Sequence, residues 1–569
     1  MTDSAINIEN QPLTRYTGSQ LLIKLLERQG VTHVSGVPGG ANLPIYDALT
    51  GSGIEHVLAR HEQGAGFIAQ GMARASGKAQ VCFASSGPGA TNLVTAVADA
   101  RMDSVPLIAI TGQVPQNMIG TDAFQEIDTF GLMLPITKHN WMVRSAEELL
   151  EVIPRAFEIA LSGRPGPVSV DIPKDVQKET IELEYLPEPG RRGDNPLFES
   201  HLVASMLEKI KNAKKPILMI GGGIGYADAA SELVKFAEQL DLPAVQTLMG
   251  LGILPHDHPL SLGMLGMHGA PYTNLVLEEC DLVVGLGVRF DDRATGKVTE
   301  FCPQAEIVHV DIDHSEIDKI MRSSLSIRAD VGEVLEMANG MLVPLTRPIW
   351  RKRVEQLKTN YPLILEGEDE LFRPYGAIKA VASLLDDSVS VTTDVGQHQM
   401  WVAQAYPFDR AGQWISSGGL GTMGFGLPAA IGMALVQPER KVICFSGDGS
   451  FLMNIQELAT AAEHDLDIKI IILNNRHLGL VRQQQSLFYN RNLSAVKFQQ
   501  NVDYALTATA MGMKGVDLST ATNPLQELKS ALLEPGPCVI NLPINETEMV
   551  FPMVAPGGAN REMIYGEGA

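Results

Sequence analysis

The stretch Lys441–Asn475, KVICFSGDGSFLMNIQELATAAEHDLDIKIIILNN, contains the alternation that decides the fold. It starts with an apolar run of strand length, Lys441–Phe445, and a second such run follows at Lys469–Leu473. Between them, Ser450–Glu463 has the composition of a helix, so the pattern predicts a strand–helix–strand unit. Parallel strands need such a crossover, and helices cover both faces of a parallel sheet. The stretch therefore predicts an α/β protein.

Polar residues follow both of these strands. Gly447-Asp448-Gly449 comes directly after the first strand, and Asn474 and Asn475 end the second, with Asn475 placed 27 residues after Asp448. One crossover unit occupies about that many residues, so the two loops should emerge side by side at the carboxyl ends of the strands. Open α/β sheets bind their ligands there, and the N-terminus of the following helix favours phosphate.

The ligand chemistry of the two loops points to magnesium and a diphosphate. Asp448 offers a carboxylate oxygen and Asn475 an amide oxygen, and Mg²⁺ prefers hard oxygen ligands completed by water and phosphate. Either sequence alone is more often a simple turn or loop. Together, Gly-Asp-Gly after a strand, the spacing and the terminal Asn pair match the thiamine-diphosphate-binding motif. We therefore predict thiamine diphosphate and Mg²⁺ at this edge of the sheet.

Length and composition narrow the class of protein. The 569 residues suffice for about three domains, and 45% hydrophobic residues is ordinary for a globular chain. A net charge of −22, without a basic run, argues against a nucleic-acid partner. We find neither a signal-peptide pattern nor 18 successive apolar residues, so we expect a cytoplasmic protein with no membrane contact. Five separated cysteines are typical of buried apolar positions and argue against disulfides and zinc.

Further apolar runs predict three groups of strands, and hence three doubly wound parallel-sheet domains. The groups are Thr32–Gly36, Gln80–Ala84, Pro106–Thr111 and Val168–Ile172; then Pro216–Ile220, Leu282–Gly285 and Ile307–Val310; then Ser388–Thr393, Lys441–Phe445, Lys469–Leu473 and Cys538–Leu542. Pro, Gly and charge in Leu186–Glu199 predict a linker, and Leu342–Pro374 contains the second boundary with a helix around Ile349–Lys358. We place the domains at 14–185, 200–341 and 375–545, with a tail at 546–569 near the active site.

Eight further segments between Thr14 and Ala559 are distinctive: GVPGG (Gly36–Gly40), RHEQGAGFIAQGMAR (Arg60–Arg74), SSGPGATN (Ser85–Asn92), TDAFQE (Thr121–Glu126), SGRPGPVSVDIPKD (Ser162–Asp175), LGMHG (Leu265–Gly269), RFDDR (Arg289–Arg293) and GGLGTMGFGLPAA (Gly418–Ala430). Together they resemble the catalytic subunits of acetohydroxyacid synthases, also called acetolactate synthases, which depend on thiamine diphosphate. The resemblance therefore covers nearly the whole chain.

The resemblance implies a carboligase. Such an enzyme decarboxylates pyruvate and joins the remaining two-carbon unit to a second pyruvate, giving 2-acetolactate, or to 2-oxobutanoate, giving 2-aceto-2-hydroxybutanoate. This is the first common step of valine, isoleucine and leucine biosynthesis. The resemblance also implies a homodimer or tetramer of catalytic subunits with a small regulatory subunit, in which a glutamate of one subunit faces the cofactor of another.

The same resemblance assigns residues to the thiamine diphosphate. Glu62 would be the activating glutamate beside the aminopyrimidine, although an acid in the first turn of a helix beginning near His61 is also favoured by the helix dipole alone. Met423 would bend the cofactor, although a core methionine is the commoner reading of one Met. The implied cofactor contacts are Gly39, Glu62, Gln397, His398, Gly421, Met423, Gly447, Asp448, Gly449, Ser450 and Met453. Asp448, Asn475 and the main-chain oxygen of His477 would ligate the metal.

A second cofactor, a non-redox FAD, follows from the resemblance rather than from a motif. Gly221-Gly222-Gly223 follows a strand, but Tyr226 leaves GxGxxG incomplete. The implied FAD contacts are Arg164, Gly222, Thr247, Leu248, Met267, His268, Arg289, Asp291, Arg293, Asp311 and Asp330. Without the family context, Arg289–Arg293 would simply be a solvated charged loop.

The implied catalytic residues are Glu62, Gln125, Lys174 and Arg293. Phe124, Gln125 and Lys174 would line the access route, whereas Met267, Arg293 and Gln484 would surround the acceptor. Arg293 suits a bidentate grip on a carboxylate.

Four alternatives remain open. A pyruvate oxidase-type flavin oxidoreductase would consume oxygen, and a catabolic acetolactate synthase would work without FAD. Glyoxylate carboligase lacks the glutamate that Glu62 supplies. A non-catalytic homologue would have lost residues such as Asp448 and Asn475, which are intact here.

Gln484 departs from the family pattern, because most members have a tryptophan there that packs against the extra methyl group of 2-oxobutanoate. An amide removes apolar contact of roughly 1 kcal/mol per methylene-sized group, unless other residues compensate. We therefore predict little preference for 2-oxobutanoate, and weaker inhibition by sulfonylurea-type compounds. Competition between equal concentrations of the two acceptors measures this preference. A product ratio strongly favouring 2-aceto-2-hydroxybutanoate would contradict the prediction.

Overall fold

The structure is a computed structural model that describes residues 13–566. The chain divides into two compact units. The first contains the described residues up to Ala73 together with Lys78–Gly193, and the second contains Arg74–Gly77 and the described chain from Asp194 onward.

The first unit contains a six-stranded sheet whose neighbouring strands all run parallel, in the order β3-β2-β4-β5-β7-β6, and an antiparallel pair, β1 and β8. Its strands are Thr14–Thr17 (β1), His33–Gly36 (β2), Glu55–Leu58 (β3), Gln80–Ala84 (β4), Leu107–Gln113 (β5), His139–Met142 (β6), Val168–Pro173 (β7) and Thr180–Leu183 (β8). Its helices are Gly18–Arg28 (α1), Leu43–Leu49 (α2), Glu62–Ser76 (α3), Pro88–Met102 (α4), Thr129–Met133 (α5), Leu149–Leu161 (α6) and Lys174–Lys178 (α7). Apolar residues of α1 and α6 pack against the buried strands β4, β5 and β7.

The second unit begins with another parallel six-stranded sheet, in the order β11-β10-β9-β12-β13-β14. Its strands are Pro216–Ile220 (β9), Ala244–Gln246 (β10), Ser261–Met264 (β11), Leu282–Leu286 (β12), Glu306–Asp311 (β13) and Leu325–Arg328 (β14). The helices are Ser200–Asn212 (α8), Gly223–Tyr226 (α9), Ala230–Leu240 (α10), Pro271–Glu279 (α11), Asp292–Thr295 (α12), Val331–Met341 (α13) and Pro348–Asn360 (α14). Two buried apolar clusters cover this central sheet.

A third parallel sheet follows in the same unit, in the order β16-β15-β17-β18-β20-β19. Its strands are Ser390–Thr393 (β15), Trp414–Ile415 (β16), Val442–Gly447 (β17), Ile468–Asn474 (β18), Lys514–Asp517 (β19) and Cys538–Pro543 (β20). The helices are Pro374–Ser383 (α15), Gln397–Ala405 (α16), Gly426–Val436 (α17), Asp448–Phe451 (α18), Leu458–Glu463 (α19), Gly479–Phe488 (α20), Tyr504–Ala510 (α21) and Pro524–Leu533 (α22). A short pair, Met553–Val554 (β21) and Met563–Ile564 (β22), closes the described chain.

These three sheets confirm the predicted fold class. Every predicted strand is present, with ends displaced by at most two residues, and the predicted linker Leu186–Glu199 contains neither helix nor strand. The helix predicted around Ile349–Lys358 is α14. All five cysteines are buried, as predicted for apolar positions. None of the helices in the described part of the chain has the length and apolar character needed to span a bilayer.

One predicted helix was wrong. Ser450–Glu463 is not continuous, because α18 ends at Phe451 and α19 begins at Leu458. The break lies at Asn454, whose backbone leaves the helical region at φ −135° and ψ 30°. Its buried amide donates to the main-chain oxygen of Gly424 at 2.7 Å. This tertiary hydrogen bond competes with helix continuation, as Asn side chains commonly do.

The tail after β20 crosses from the third sheet to the central sheet. The Val554 N–H donates to the Met267 carbonyl at 2.9 Å. Farther along, the Lys297 N–H donates to the Gly558 carbonyl at 2.8 Å, and the Asn560 amide donates to the Ala294 carbonyl at 2.8 Å. The tail is therefore tied to loops that follow β11 and β12.

At the opposite, amino end of the third sheet lies Lys469, a fully buried lysine on β18. Its Nζ donates to the main-chain oxygens of Glu534, at 2.5 Å, and of Gly536. It also lies 2.7 Å from Oδ1 of Asp467. Three acceptors therefore compensate for the burial of the ammonium group, as a buried charge requires.

We expect Lys469→Met to destabilise the protein by about 2–4 kcal/mol, because it leaves two partly buried carbonyl groups without their donor and removes one of the two cationic partners of Asp467. The midpoint of thermal unfolding measures the effect. Lys514→Met is the matched control, since Lys514 pairs with the Glu534 carboxylate at the surface, where such a pair contributes at most about 1 kcal/mol. Equal losses in the two variants would contradict the prediction.

Candidate active site

The two polar loops that the sequence predicts to be neighbours line one pocket. β17 and β18 are adjacent parallel strands, with Gly447 opposite Leu473, so their carboxyl ends lie side by side. The pocket is lined by Val395, Gly396, Gln397, His398, Trp401, Met423, Gly447, Asp448, Gly449, Ser450, Leu473, Asn475, His477, Leu478, Gly479, Leu480 and Val481. Asp448, Asn475 and His477 therefore share one cavity.

Asp448 is the only acid among the described residues that line this pocket. Burial raises the pKa of its carboxyl to about 7, although N–H groups of Gly449 and Arg476 act in the opposite direction. The Gly449 N–H lies 3.0 Å from Oδ1. A buried carboxylate is stabilised by a nearby cation, so this donor set fits a divalent metal ion.

Asn475 presents its amide with a defined orientation. Nδ2 donates to Oε1 of Gln397 at 3.1 Å, and Oδ1 accepts from the His477 N–H at 3.0 Å. Arg476, which lies between Asn475 and His477 in the chain, has a left-handed backbone with φ 58°. That conformation is uncommon for a residue other than glycine, and such strain concentrates at functional sites.

The opposite wall of the pocket comes from the N-terminus of α16. His398 is buried there, and its Nε2 has no hydrogen-bond partner. Burial lowers the pKa of His398 to about 3, while a hydrogen bond to the Asp394 main chain opposes this shift. A phosphate oxygen would supply the missing partner. The helix N-terminus favours the same anion.

Glycines keep the pocket open. A Cβ on Gly447 would lie 2.8 Å from Nδ1 of His398, and one on Gly449 would lie 2.7 Å from Cδ2 of Leu478. Both distances are shorter than real contacts. The Gly-Asp-Gly sequence is therefore needed for packing as well as for access to a phosphate.

Asp394 is a site residue that the sequence analysis missed. It follows β15, and its Oδ1 accepts from the N–H groups of Val395, at 3.0 Å, and Gly424, at 2.7 Å. Oδ2 accepts from the Ser446 hydroxyl at 3.1 Å. Burial raises the pKa of Asp394 to about 6. This carboxyl holds the turn that follows Met423. The rule that found Asp448, a polar residue directly after a buried strand, would also have found it.

Two residues near the third sheet that were predicted to contact thiamine diphosphate, Gly421 and Met453, do not line this pocket. Gly421 has φ 70° and lies near Val395, and Met453 is half exposed beside Gly424. Trp401 and Leu478–Val481 line the pocket but were not predicted to. Gln484 lies on α20 and is partly exposed.

In the first unit, Glu62 is the first residue of α3, as expected for a helix starting near His61. Its Oε2 accepts from Nδ2 of Asn92 on α4 at 2.9 Å. Gly39 packs against Ser85, where a Cβ would approach Oγ within 2.5 Å. The resemblance and the helix-start interpretation are both compatible with this position.

The loop that contains Phe124 and Gln125 is organised by Glu126, which the sequence analysis did not single out. The Glu126 carboxylate accepts from the N–H groups of Gly120, Thr121, at 3.2 Å, and Ala123, at 3.1 Å. These hydrogen bonds lower the pKa of Glu126. Gln125 is held at φ 60°, and Phe124 is 86% exposed. Lys174 lies elsewhere in this unit, at the start of α7.

Comparisons with known proteins agree with this architecture. Three family models match, described as the N-terminal TPP binding, central and C-terminal TPP binding domains of thiamine pyrophosphate enzymes, over residues 16–132, 203–338 and 394–542. The chain is 53% identical to the acetolactate synthase isozyme 1 large subunit of Escherichia coli, covering 97% of this chain and 98% of that protein.

The chain belongs to the acetolactate synthase family of thiamine pyrophosphate enzymes. It is also 44% identical to the isozyme 2 large subunit of E. coli, over 96% and 99% of the two chains. Against the chloroplastic acetolactate synthase of Arabidopsis thaliana it is 44% identical, over 96% and 84%. The predicted family and enzyme class are confirmed, and these relatives give no support to the alternatives.

In this family member, all but one of the residues predicted to bind FAD lie at the carboxyl ends of the central strands. Gly222 follows β9, Thr247 and Leu248 follow β10, Met267 and His268 follow β11, Arg289, Asp291 and Arg293 follow β12, Asp311 ends β13, and Asp330 follows β14. Arg164 lies in the first unit, where it donates to the Ser104 hydroxyl at 2.8 Å. The six parallel strands therefore bring ten of the eleven predicted residues to one sheet edge.

Two glycine turns pack directly on each other at this edge. A Cβ on Gly221 would lie 2.0 Å from the Gly287 oxygen, so the two glycine turns are in direct contact. Asp291 does not simply lie in a solvated loop. It caps α12, accepting from the N–H of Arg293 at 3.0 Å.

His268 joins this edge to the tail. Its Nδ1 donates to the Pro552 carbonyl at 3.1 Å, and its own carbonyl accepts from the Gln404 amide at 2.9 Å. Burial, with a smaller contribution from the Arg293 cation, lowers the pKa of His268 to about 4. The imidazole is therefore neutral in the folded protein near neutral pH.

This shift predicts a loss of stability in acid. The folded pKa of His268 lies below the unfolded value of about 6.5, so the stabilising contribution is present above pH 6.5 and is lost as the pH falls towards 4. By pH 4.5 the loss reaches roughly 2–3 kcal/mol. We expect the thermal midpoint to fall less steeply between pH 7 and 4.5 in His268→Gln, which keeps a donor for Pro552. His314→Gln, at an exposed position, is the control, and identical slopes in all three proteins would refute the assignment.

Proposed function

We propose that this chain is the catalytic subunit of an acetolactate synthase, which condenses two molecules of pyruvate to 2-acetolactate with loss of CO2, or uses 2-oxobutanoate as the acceptor. The observation that supports it most directly is the pocket at the ends of β17 and β18, where Asp448, Asn475 and the unpartnered Nε2 of His398 meet. A carboxylate, an amide oxygen and an imidazole suit a magnesium diphosphate.

Within this proposal, Asp448, Asn475 and the main-chain oxygen of His477 hold Mg²⁺, while His398 and the N-terminus of α16 hold the diphosphate. When bound, thiamine diphosphate supplies the electron sink that makes decarboxylation of a 2-oxo acid feasible. Met423 lines the same pocket, on a turn fixed by Asp394. Glu62 would hold the aminopyrimidine of the cofactor through its carboxyl group, which Asn92 keeps in place with a hydrogen bond of 2.9 Å.

Arg293 binds the carboxylate of the acceptor. Its side chain is 60% exposed, and Nη1 lies 3.6 Å from Sδ of Met267. Its weak pairing with Asp292, at 3.8 Å, leaves the guanidinium able to form a bidentate contact. Gln125 and Lys174 line the route by which the substrate reaches the cofactor. FAD occupies the carboxyl edge of the central sheet in a structural role.

The wider assignments are proposals of the same kind. We propose three domains at 14–185, 200–341 and 375–545, a tail at 546–569 near the active site, of which 567–569 lie outside the described residues, and a cytoplasmic location. We further propose a homodimer or tetramer that takes a small regulatory subunit, since several relatives are named large subunits.

We predict that Glu62→Gln lowers kcat for 2-acetolactate formation by a factor of at least about 100, because positioned proton transfer contributes that much. The assay contains pyruvate, thiamine diphosphate, Mg²⁺ and FAD. Glu55→Gln, an exposed acid on β3, is the matched control and should retain full activity. Omission of FAD should also abolish activity.

Other outcomes would redirect the proposal. Activity that does not depend on FAD would indicate a catabolic synthase. Oxygen consumption without a condensation product would indicate a flavin oxidase. Full activity in Glu62→Gln would remove Glu62 from the mechanism.

A further inference from the structure

A buried amide on α20 is bonded to the main chain of the tail. Gln483 is fully buried, its Oε1 accepts from the Val550 N–H at 2.8 Å, and its Nε2 donates to the Val550 carbonyl at 2.9 Å. A main-chain N–H and C=O cannot exchange places. The backbone of Val550 therefore decides which end of the Gln483 amide is oxygen and which is nitrogen.

This orientation passes to a second amide. Nε2 of Gln397 donates to Oε1 of Gln483 at 2.9 Å, and to the Glu548 carbonyl at 2.9 Å. Both of its N–H groups are then used by acceptors. Oε1 of Gln397 must face the other way, towards a donor.

The donor is Asn475, whose Nδ2 lies 3.1 Å from Oε1 of Gln397. This contact, together with the His477 N–H that donates to Oδ1, orients the third amide, so that Oδ1 of Asn475, rather than Nδ2, points away from Gln397. Reversing any one amide would place like groups opposite each other at two buried contacts, and each unsatisfied buried group costs about 1–3 kcal/mol. We call Gln483, Gln397 and Asn475 the amide chain.

The amide chain has no spare room. A Cβ on Gly479 would lie 2.0 Å from Oε1 of Gln397 and 2.6 Å from Nδ2 of Asn475. Glycine at this position therefore lets the second and third amides meet, and the geometry is set by packing as well as by hydrogen bonds.

We propose that Gln483 is a positioning residue for the metal site: through Gln397 it holds the Asn475 amide with Oδ1 available to the cation, using the tail main chain at Val550 as the fixed reference. This inference rests on the metal site proposed above. Gln483 itself does not line the pocket.

The test measures metal affinity rather than turnover. Free Mn²⁺ is followed by electron paramagnetic resonance in titrations of the full chain with thiamine diphosphate present. Gln483→Leu should raise the Kd for Mn²⁺ about tenfold, because Gln397 loses one of the two acceptors that orient its amide. Gln485→Leu is the matched control on the same helix. Both ends of the Gln485 side-chain amide bond the main chain of Ser494, away from the amide chain, so its loss should leave the Kd unchanged.

Gln483→Glu separates orientation from packing. A carboxylate still accepts from Gln397 and from the Val550 N–H, so the Kd for Mn²⁺ should stay within about threefold of the unmodified protein. A residue needed only for packing would show the opposite order, since a buried charge disturbs a core more than leucine does. Thermal unfolding of each variant reports that separate effect, and the Glu variant keeps the test decisive if Gln483→Leu fails to fold.

The Asp448→Asn variant tests the proposed metal site separately from the proposed role of Gln483. If it weakens Mn²⁺ binding while Gln483→Leu does not, the metal site stands and the role of Gln483 is wrong. Equal weakening by Leu and Glu at position 483 also overturns that role. If neither Asp448→Asn nor Gln483→Leu changes the Kd, the metal site and the inference built on it both fall.

Discussion

The carboxyl ends of parallel strands meet at one edge of their sheet, and each of the three six-stranded sheets in the described part of the chain is parallel. Residues that follow different strands, and lie far apart in the chain, are thereby brought together without any long loop. In the third sheet, Asp394 follows β15, Asp448 follows β17 and Asn475 follows β18. The central sheet does the same with the residues assigned to FAD. The candidate sites depend on this single geometric constraint.

Several of the polar groups at this edge are buried, and burial shifts their pKa values. The pKa of Asp448 rises to about 7 and that of Asp394 to about 6, because burial penalises the charged form. The pKa of His398 falls to about 3 for the same reason. The residues differ in what compensates them. Asp394 receives two N–H groups and a hydroxyl from the protein, whereas His398 keeps a nitrogen without a partner, and for that reason we propose a supporting role for Asp394 and a ligand-binding role for His398.

The sequence was informative where burial is complete. Strands such as β4, β9 and β18 are buried on both faces and appear as continuous apolar runs, so they could be predicted almost to the residue. Edge strands could not. β19 is KGVD and β16 has two residues, and neither shows an apolar run or an alternation long enough to detect.

Some candidate site residues could also be predicted from the sequence, and others could not. Asp448 and Asn475 were predictable because they lie directly after buried strands, at a spacing that a crossover explains. Gln483 was not, because its partners lie 86 and 67 residues away and glutamine on a helix has no distinctive pattern. The helix break at Asn454 was missed for the same reason, since the amide bonds Gly424, 30 residues back. Long-range hydrogen bonds between amides leave no local signal.

The tail is hydrogen-bonded both to the amide chain of the third sheet and to loops of the central sheet. Near its start it bonds Gln483 through Val550, and farther on it bonds Met267 through Val554 and Ala294 through Asn560. The Met267 and Ala294 loops follow strands of the central sheet, at the edge assigned to FAD. A ligand that orders those loops would also hold the tail, and the tail bonds the amide chain beside the proposed metal site through Val550.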